Sequence, residues 1–203
     1  MKNYKKKLIL GLTGPTGCGK TRASLFLQNF NFFAINADKV VKNLYLNNKT
    51  LISEIELNFK GVVENKSLNI KKLAEIVFFS KIEKLKLEKI IWPYVINQLA
   101  FLIEQHKNCK IIIDAPTLFE SGAYKFCDFN IAILSDKETR FNRIIKRDNL
   151  TETMALNRIN SQKLDSFYIN KADGLIINNG LQTSLFYNLT HLIKNLKLIS
   201  KKF

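Results

Sequence analysis

Three cysteines are all this 203-residue chain carries, Cys18, Cys109 and Cys127, and no two stand in a CxxC or other ligand spacing. An odd number without such spacing excludes a disulfide framework and a structural zinc site, and it fits a reducing, cytoplasmic setting. Long apolar runs are missing too. The N-terminus, MKNYKKKLILGL, imitates a signal peptide with a basic start and an apolar follow-on, but the run ends at Leu12 and leads straight into a glycine-rich loop. That is too short for a signal core or a membrane span, so a first strand behind a charged tail is expected and no membrane partner. Internal repeats and low-complexity linkers are absent, and the length suits one domain, 1–203, with a sizeable insertion. Acidic residues are scarce: 17 Asp+Glu face 32 Lys+Arg, a net charge of +15. The lysines are nevertheless spread along the chain, clustering only at Lys5-Lys6-Lys7 and Lys201-Lys202. With no aromatic-basic RNA motif and no zinc finger, the charge reads as solvated surface that also attracts small polyanions. No nucleic-acid partner is expected, and a monomer is.

What is present centres on residues 14–21, GPTGCGKT. A short apolar run precedes it and a helix-like run, Arg22-Ala23-Ser24-Leu25-Phe26-Leu27, follows it. Strand, G-x-x-x-x-G-K-[ST] loop and helix are the parts of a phosphate-binding loop. Gly14, Gly17 and Gly19 let the backbone turn tightly and aim N–H groups at phosphate oxygens; Cys18 and Arg22 belong to the same nucleotide-binding stretch. The helix N-terminus adds its own attraction for anions. Lys20 is placed to reach the β- and γ-phosphates, and the Thr21 hydroxyl to ligate Mg²⁺. A glycine turn that merely precedes a lysine is the bland alternative, and the flanking strand and helix argue against it. Cys18, beside Lys20 at a helix N-terminus, is either a reactive thiol of lowered pKa or a filler.

Further strands are expected at 31–36, 109–114, 129–134 and 174–178, making five in all. Their apolar character and the helices between them predict an α/β fold with a parallel five-stranded sheet flanked by helices. Helices are expected at 39–46, 50–59, 70–78 and 151–164, and from about 183 onward. Ser80-Lys81-Ile82-Glu83 and Ser135-Asp136-Lys137-Glu138 read as capping boxes, and Pro93 as the first turn of a separate helix. No strand is expected between 50 and 107. The region 38–108 therefore reads as a helical insertion, where a substrate-holding subdomain would sit.

Phosphoryl transfer also needs an acceptor hydroxyl oriented or deprotonated and cations on the phosphoryl oxygens. Asp38, just past the second strand, is the candidate base; N-cap of the following helix is the alternative. Asp114 ends an Ile-Ile-Ile-Asp strand, the setting of a carboxylate near Mg²⁺ or of a satisfied buried acid. Arg143, Arg147 and Arg158 have the spacing of a helical lid over 139–165, and arginine suits phosphate because its planar fork binds bidentately. Ordinary pairing with Asp148 is the alternative for them.

Together, the segments GLTGPTGCGKT, NADKVVKNLY, LAEIVF…LEKIIWPYV, IIIDAPTLFESG, RFNRIIKRDNLT, RINSQ and ADGLIINNG resemble dephospho-coenzyme A kinases over nearly the whole chain and in the right order. The resemblance implies ATP-dependent phosphorylation of the ribose 3′-hydroxyl of dephospho-coenzyme A. It also implies a P-loop core, a helical substrate domain and a lid. In that pattern Lys20 and Thr21 match the phosphate lysine and metal hydroxyl, Asp38 the second acid of an Asp-Ala-Asp triplet acting as base, and Arg147 the lid arginine. The chain departs from the pattern at Asn36 in place of the first acid, Ile70 for Arg, Trp92 for His and Thr117 for Leu. A kinase with another acceptor, a nucleotide-regulated nucleic-acid binder and a weakened precursor sensor are the competing readings.

Overall fold

A computed structural model of the chain describes residues 8–199; the two lysine clusters at the termini lie outside the described residues. The chain starts with β1 (Ile9–Thr13), turns through the glycine loop into α1 (Lys20–Gln28), and returns as β2 (Phe32–Asn36). Next comes α2 (Ala37–Asn47), whose cap is Asn36: its side chain accepts from the Lys39 N–H at 2.9 Å. The helix thus starts earlier than its apolar face suggests, and Asp38 lies inside its first turn instead of capping it.

Four helices dominate the insertion: α2, α3 (Lys49–Asn58), α4 (Ile70–Phe78) and α5 (Lys81–Gln105). Between α3 and α4 lies a hairpin that the sequence does not announce, β3 (Val63–Glu64) and β4 (Ser67–Leu68). Its strands are too short to show alternation, and its turn is made by Asn65 and Lys66 at φ 49° and 63°, the positive angles of a two-residue hairpin turn. Asn48, Asn69 and Ser80 cap the helices that follow them, each accepting a backbone N–H three residues on. Pro93 does not open a helix. It sits inside the single 25-residue α5, where the Lys89 carbonyl loses its usual donor. The buried stripe Leu87, Ile90, Ile91, Val95, Leu99 and Ile103 runs through the proline, and its packing overrides the local preference.

Three more strands complete the sheet: β5 (Lys110–Asp114), β6 (Phe129–Leu134) and β7 (Gly174–Ile177). Between the last two lie α6 (Lys137–Asp148), α7 (Glu152–Asn160) and α8 (Asp165–Ile169), and α9 (Gln182–Ile199) closes the described chain. The cap of α6 is Asp136, which accepts from the Thr139 N–H, and not Ser135. The helix expected over 151–164 stops at Asn160, because the stripe Ala155–Ile159 would next turn Lys163 inward.

All five main strands run parallel in the order β2-β5-β1-β6-β7. Alternate residues of each strand serve opposite faces. Ile111 and Ile113 join Ile35 and the insertion's Leu51, Ile55 and Leu99 in one core. Ile112 joins Leu10, Leu12, Ile131 and Ile133 beneath α1 and α9 in the other. The Leu196 side chain lies outside the described residues. The register pairs Asp114 with both Leu12 and Asn36, so the ends of β1, β2 and β5 form one edge, at the switch point where such sheets bind ligands.

Candidate active site

The glycine loop crosses this edge under tight steric control. Gly14, at φ 135°, has no room for a side chain, since a Cβ there would overlap the Ile133 carbonyl oxygen. At Gly19, φ 101°, a Cβ would strike the Asn178 amide. Side chains from distant parts of the chain bind the loop's carbonyls. Asn178 Nδ2 donates to the Cys18 carbonyl at 2.8 Å. Arg143 Nη1 donates to the carbonyls of Asn178 at 2.9 Å and Gly17 at 3.3 Å, and to Ser135 Oγ at 3.1 Å. Lys20 Nζ lies over the loop on the carbonyls of Gly14 at 2.7 Å and Pro15 at 3.1 Å. No side chain caps α1, which starts from Gly19, so its first N–H groups are left to an anion.

Two carboxylates face the loop from neighbouring strand ends. Asp38 is exposed in the first turn of α2. Asp114 is buried at the end of β5. Burial pushes the Asp114 carboxyl up to about 6, the negative charge of Asp38 adds to this, and Lys20 together with a hydrogen bond from Asn36 opposes it. Opposite them, Arg147 forks onto Asp148 at 2.7 and 2.8 Å, and Arg158 meets the same carboxylate at 2.7 Å. Those bonds, led by that from Arg147, hold the Asp148 carboxyl below its usual range.

One cleft of about 780 Å³ gathers Gly17, Gly19, Lys20, Thr21, Arg22, Asp38 and Asp114 from the sheet edge, and Arg143, Arg147 and Arg158 from α6 and α7. Gly14 lies buried beneath it as a turn residue. Cys18 does not belong to the cleft surface. Its side chain is fully buried in the core under α1, and burial raises the thiol pKa instead of lowering it, with Lys20 a lesser, opposing influence. The reading of Cys18 as a reactive thiol falls, because the turn that exposes the loop's amides directs this side chain inward; it is the filler. Arg140, on the same helix as Arg143, also turns inward, and its backbone presses on Gly17.

The cleft holds residues that were not singled out as binding groups: Thr16, Asn36, Lys146, Gln162 and Asn178. Gln162 and Asn178 do stand in the stretches RINSQ and ADGLIINNG, which were the available signal.

Four similarities bear on this geometry. The family model described as dephospho-CoA kinase matches residues 8–183. A dephospho-CoA kinase of Fusobacterium nucleatum subsp. nucleatum is 41% identical over 181 residues, covering 88% of this chain and 93% of that one. Among solved structures, a dephospho-CoA kinase from Campylobacter jejuni superposes with a TM-score of 0.67 at 28% identity, covering 96% of this chain and 98% of that one. A Thermus thermophilus protein, at 22% identity and a TM-score of 0.80 over 95% of this chain and 99% of that one, shares the fold.

Proposed function

The chain belongs to the dephospho-CoA kinase family, and on that premise we propose how its own residues divide the work. It is an ATP-dependent kinase that phosphorylates the ribose 3′-hydroxyl of dephospho-coenzyme A, giving coenzyme A and ADP. The loop 14–21 and the uncapped start of α1 hold the ATP phosphates, with Lys20, Arg22 and Arg143 as their cations. Asp38 is the base. As the 3′-oxygen forms its bond to the γ-phosphorus, the bond from that phosphorus to the β,γ-bridging oxygen breaks, ADP leaves, and the hydroxyl proton passes to the Asp38 carboxylate. Lys20 and Arg147 stabilise the charge on the equatorial oxygens, at no cost in reorganisation when they are already placed.

Asp114 and the Thr21 hydroxyl suit a magnesium ion. Among the described residues no three His, Cys, Asp or Glu gather into a metal cage, and magnesium needs none, since it keeps waters and phosphate oxygens around one or two protein ligands. A buried carboxyl pushed up to about 6 is an anion short of a counter-charge. Magnesium bound there would neutralise charge on the β- and γ-phosphates.

The insertion 38–108 would carry the acceptor and 139–165 the lid. A shallow, open hollow of about 520 Å³, lined by Lys89, Trp92, Pro93, Ile96 and Asn97 of α5 and by Ser121, supports the first assignment. The described residues include no helix long and apolar enough to cross a membrane. We place the enzyme in the cytoplasm as a monomer.

The observation that carries this reading is the meeting of exposed Asp38 with Lys20 and the uncapped helix start in one cleft. Coenzyme A formation by the purified chain with Mg-ATP tests the activity. Asp38→Asn tests the base: kcat should fall by about 10²–10⁴ while the KM for ATP stays within about threefold. An equal loss of nucleotide affinity would make Asp38 structural.

A further inference from the structure

Gln162 stands just beyond the end of α7, yet its Oε1 accepts the Thr16 backbone N–H of the phosphate loop at 2.8 Å, across 146 residues of chain. The donor fixes the amide's orientation, because only the carbonyl oxygen can accept from an N–H. The residue is half-buried, and it lines the reaction cleft. The guanidinium bonds of Arg147 and Arg158, by contrast, all end on Asp148 among the described residues. Asp148 ties those two cations to each other. It does not tie them to the loop.

We propose that Gln162 is a positioning residue for phosphoryl transfer: by latching the end of α7 to Thr16, it sets where Arg158 stands relative to the bound phosphates and to the Arg147–Asp148 pair of α6. This deepens the kinase reading and rests on it. The connection is short and continuous. Thr16 holds Gln162, Gln162 fixes the end of α7, and α7 brings Arg158 to the Asp148 carboxylate of α6, the helix that Arg143 ties to the Gly17 carbonyl. A side chain misplaced by about an ångström can cost on the order of 10²-fold in rate, so a latch of this kind acts on kcat more than on affinity. The latch is neutral, which matters at this place. A carboxylate would accept the same N–H but set a negative charge among groups that must receive polyphosphate.

Three measurements test the latch. Amide hydrogen exchange reads it without turnover, and so independently of whether the acceptor is dephospho-coenzyme A. Thr16 should be protected in the native chain and exchange at least about tenfold faster in Gln162→Ala, with β1 and α1 unchanged. In steady-state assays Gln162→Ala should lose at least about tenfold in kcat, with the KM for ATP raised no more than about threefold and the melting temperature unmoved. Gln162→Glu keeps the accepting oxygen. It should recover kcat to within about threefold of native and show instead a raised KM for ATP, a defect that shrinks as pH falls toward the glutamic acid pKa of about 4.3. Native kcat in Gln162→Ala, or a kcat in Gln162→Glu as low as in Gln162→Ala, overturns the proposal. Unchanged Thr16 exchange in Gln162→Ala overturns it as well. Failure of the native chain to make coenzyme A, with the exchange result intact, would count against the acceptor and not against the latch.

Discussion

The phosphate-loop edge and the helical insertion are built on opposite terms. At the loop, backbone carbonyls and amides are bound one by one by side chains that arrive from far along the chain, and Gly14, Gly17 and Gly19 have no room for a methyl group. In the insertion the work is done by interchangeable apolar contacts, with Leu51, Ile55, Leu73 and Leu99 at most 2% exposed, and by Asn and Ser caps at the helix starts. Directional hydrogen bonds and close backbone approach allow few substitutes, whereas apolar cores tolerate exchange of shape at similar volume. That contrast suits the division of labour.

The sharpest way to break the contrast is Gly14→Ala. The methyl group would be forced into the Ile133 carbonyl at a φ that L-residues avoid, so the loop must move. Strain of about 1–3 kcal/mol at this position, in addition to the overlap, should displace the amides that cradle phosphate. Nucleotide binding by calorimetry should fall below detection, and coenzyme A formation by at least about 100-fold. A Gly14→Ala enzyme within tenfold of native would mean that the loop is as forgiving as the insertion.

Leu99→Ala is the counterpart on the other side. Leu99 is fully buried on α5, and truncation of such a side chain costs about 2–5 kcal/mol through lost transfer energy and the cavity left behind. For a chain of this size the melting temperature should drop by about 5–15 °C. Well below the transition, kcat should stay within about twofold of native. A kcat that falls with stability at low temperature would show the insertion to be as finely set as the loop.

Sequence reading reached the two regions unequally, and for physical reasons. The loop, its strand and helix, and all five parallel strands were legible because glycine spacing and β-branched runs are local signals. So was the placing of Asp38 and Asp114 at strand ends. What the side chains do across the cleft was not. Asn178 and Gln162 meet the loop from 160 and 146 residues away, and no local pattern encodes such a meeting. For Cys18 both readings stayed open until the fold decided for the filler, because proximity to a helix start says nothing of which way a loop residue faces. Pro93 was misjudged because a local preference was set against a buried stripe that continues through it. The hairpin around Asn65 is too short for any periodicity to reveal.

Asp114 sharpens the comparison further, because at the loop edge stability and function should pull apart. Its carboxyl sits at about 6, against 3.8 for an ordinary aspartate, mainly because it is buried. Between those two pH values the folded chain holds a proton that the unfolded chain has released, so stability is fully present below about 4 and is lost as pH rises through about 6. Above that, the ionised buried carboxylate costs up to about 3 kcal/mol. Asp114→Asn removes the cost. The variant should therefore melt higher than native at pH 8 and lose that advantage toward pH 4, while coenzyme A formation drops and its response to added magnesium weakens. Native activity should demand more magnesium as pH falls below about 6, since a metal must then displace a proton from this carboxylate. Denaturant titrations at the two pH values and a magnesium titration of rate measure both halves. A variant no more stable than native at pH 8 would mean that the burial penalty is already met by Lys20 and Asn36. The edge would then have given up no stability to place an acid beside the phosphates, and the contrast with the insertion would rest on geometry alone.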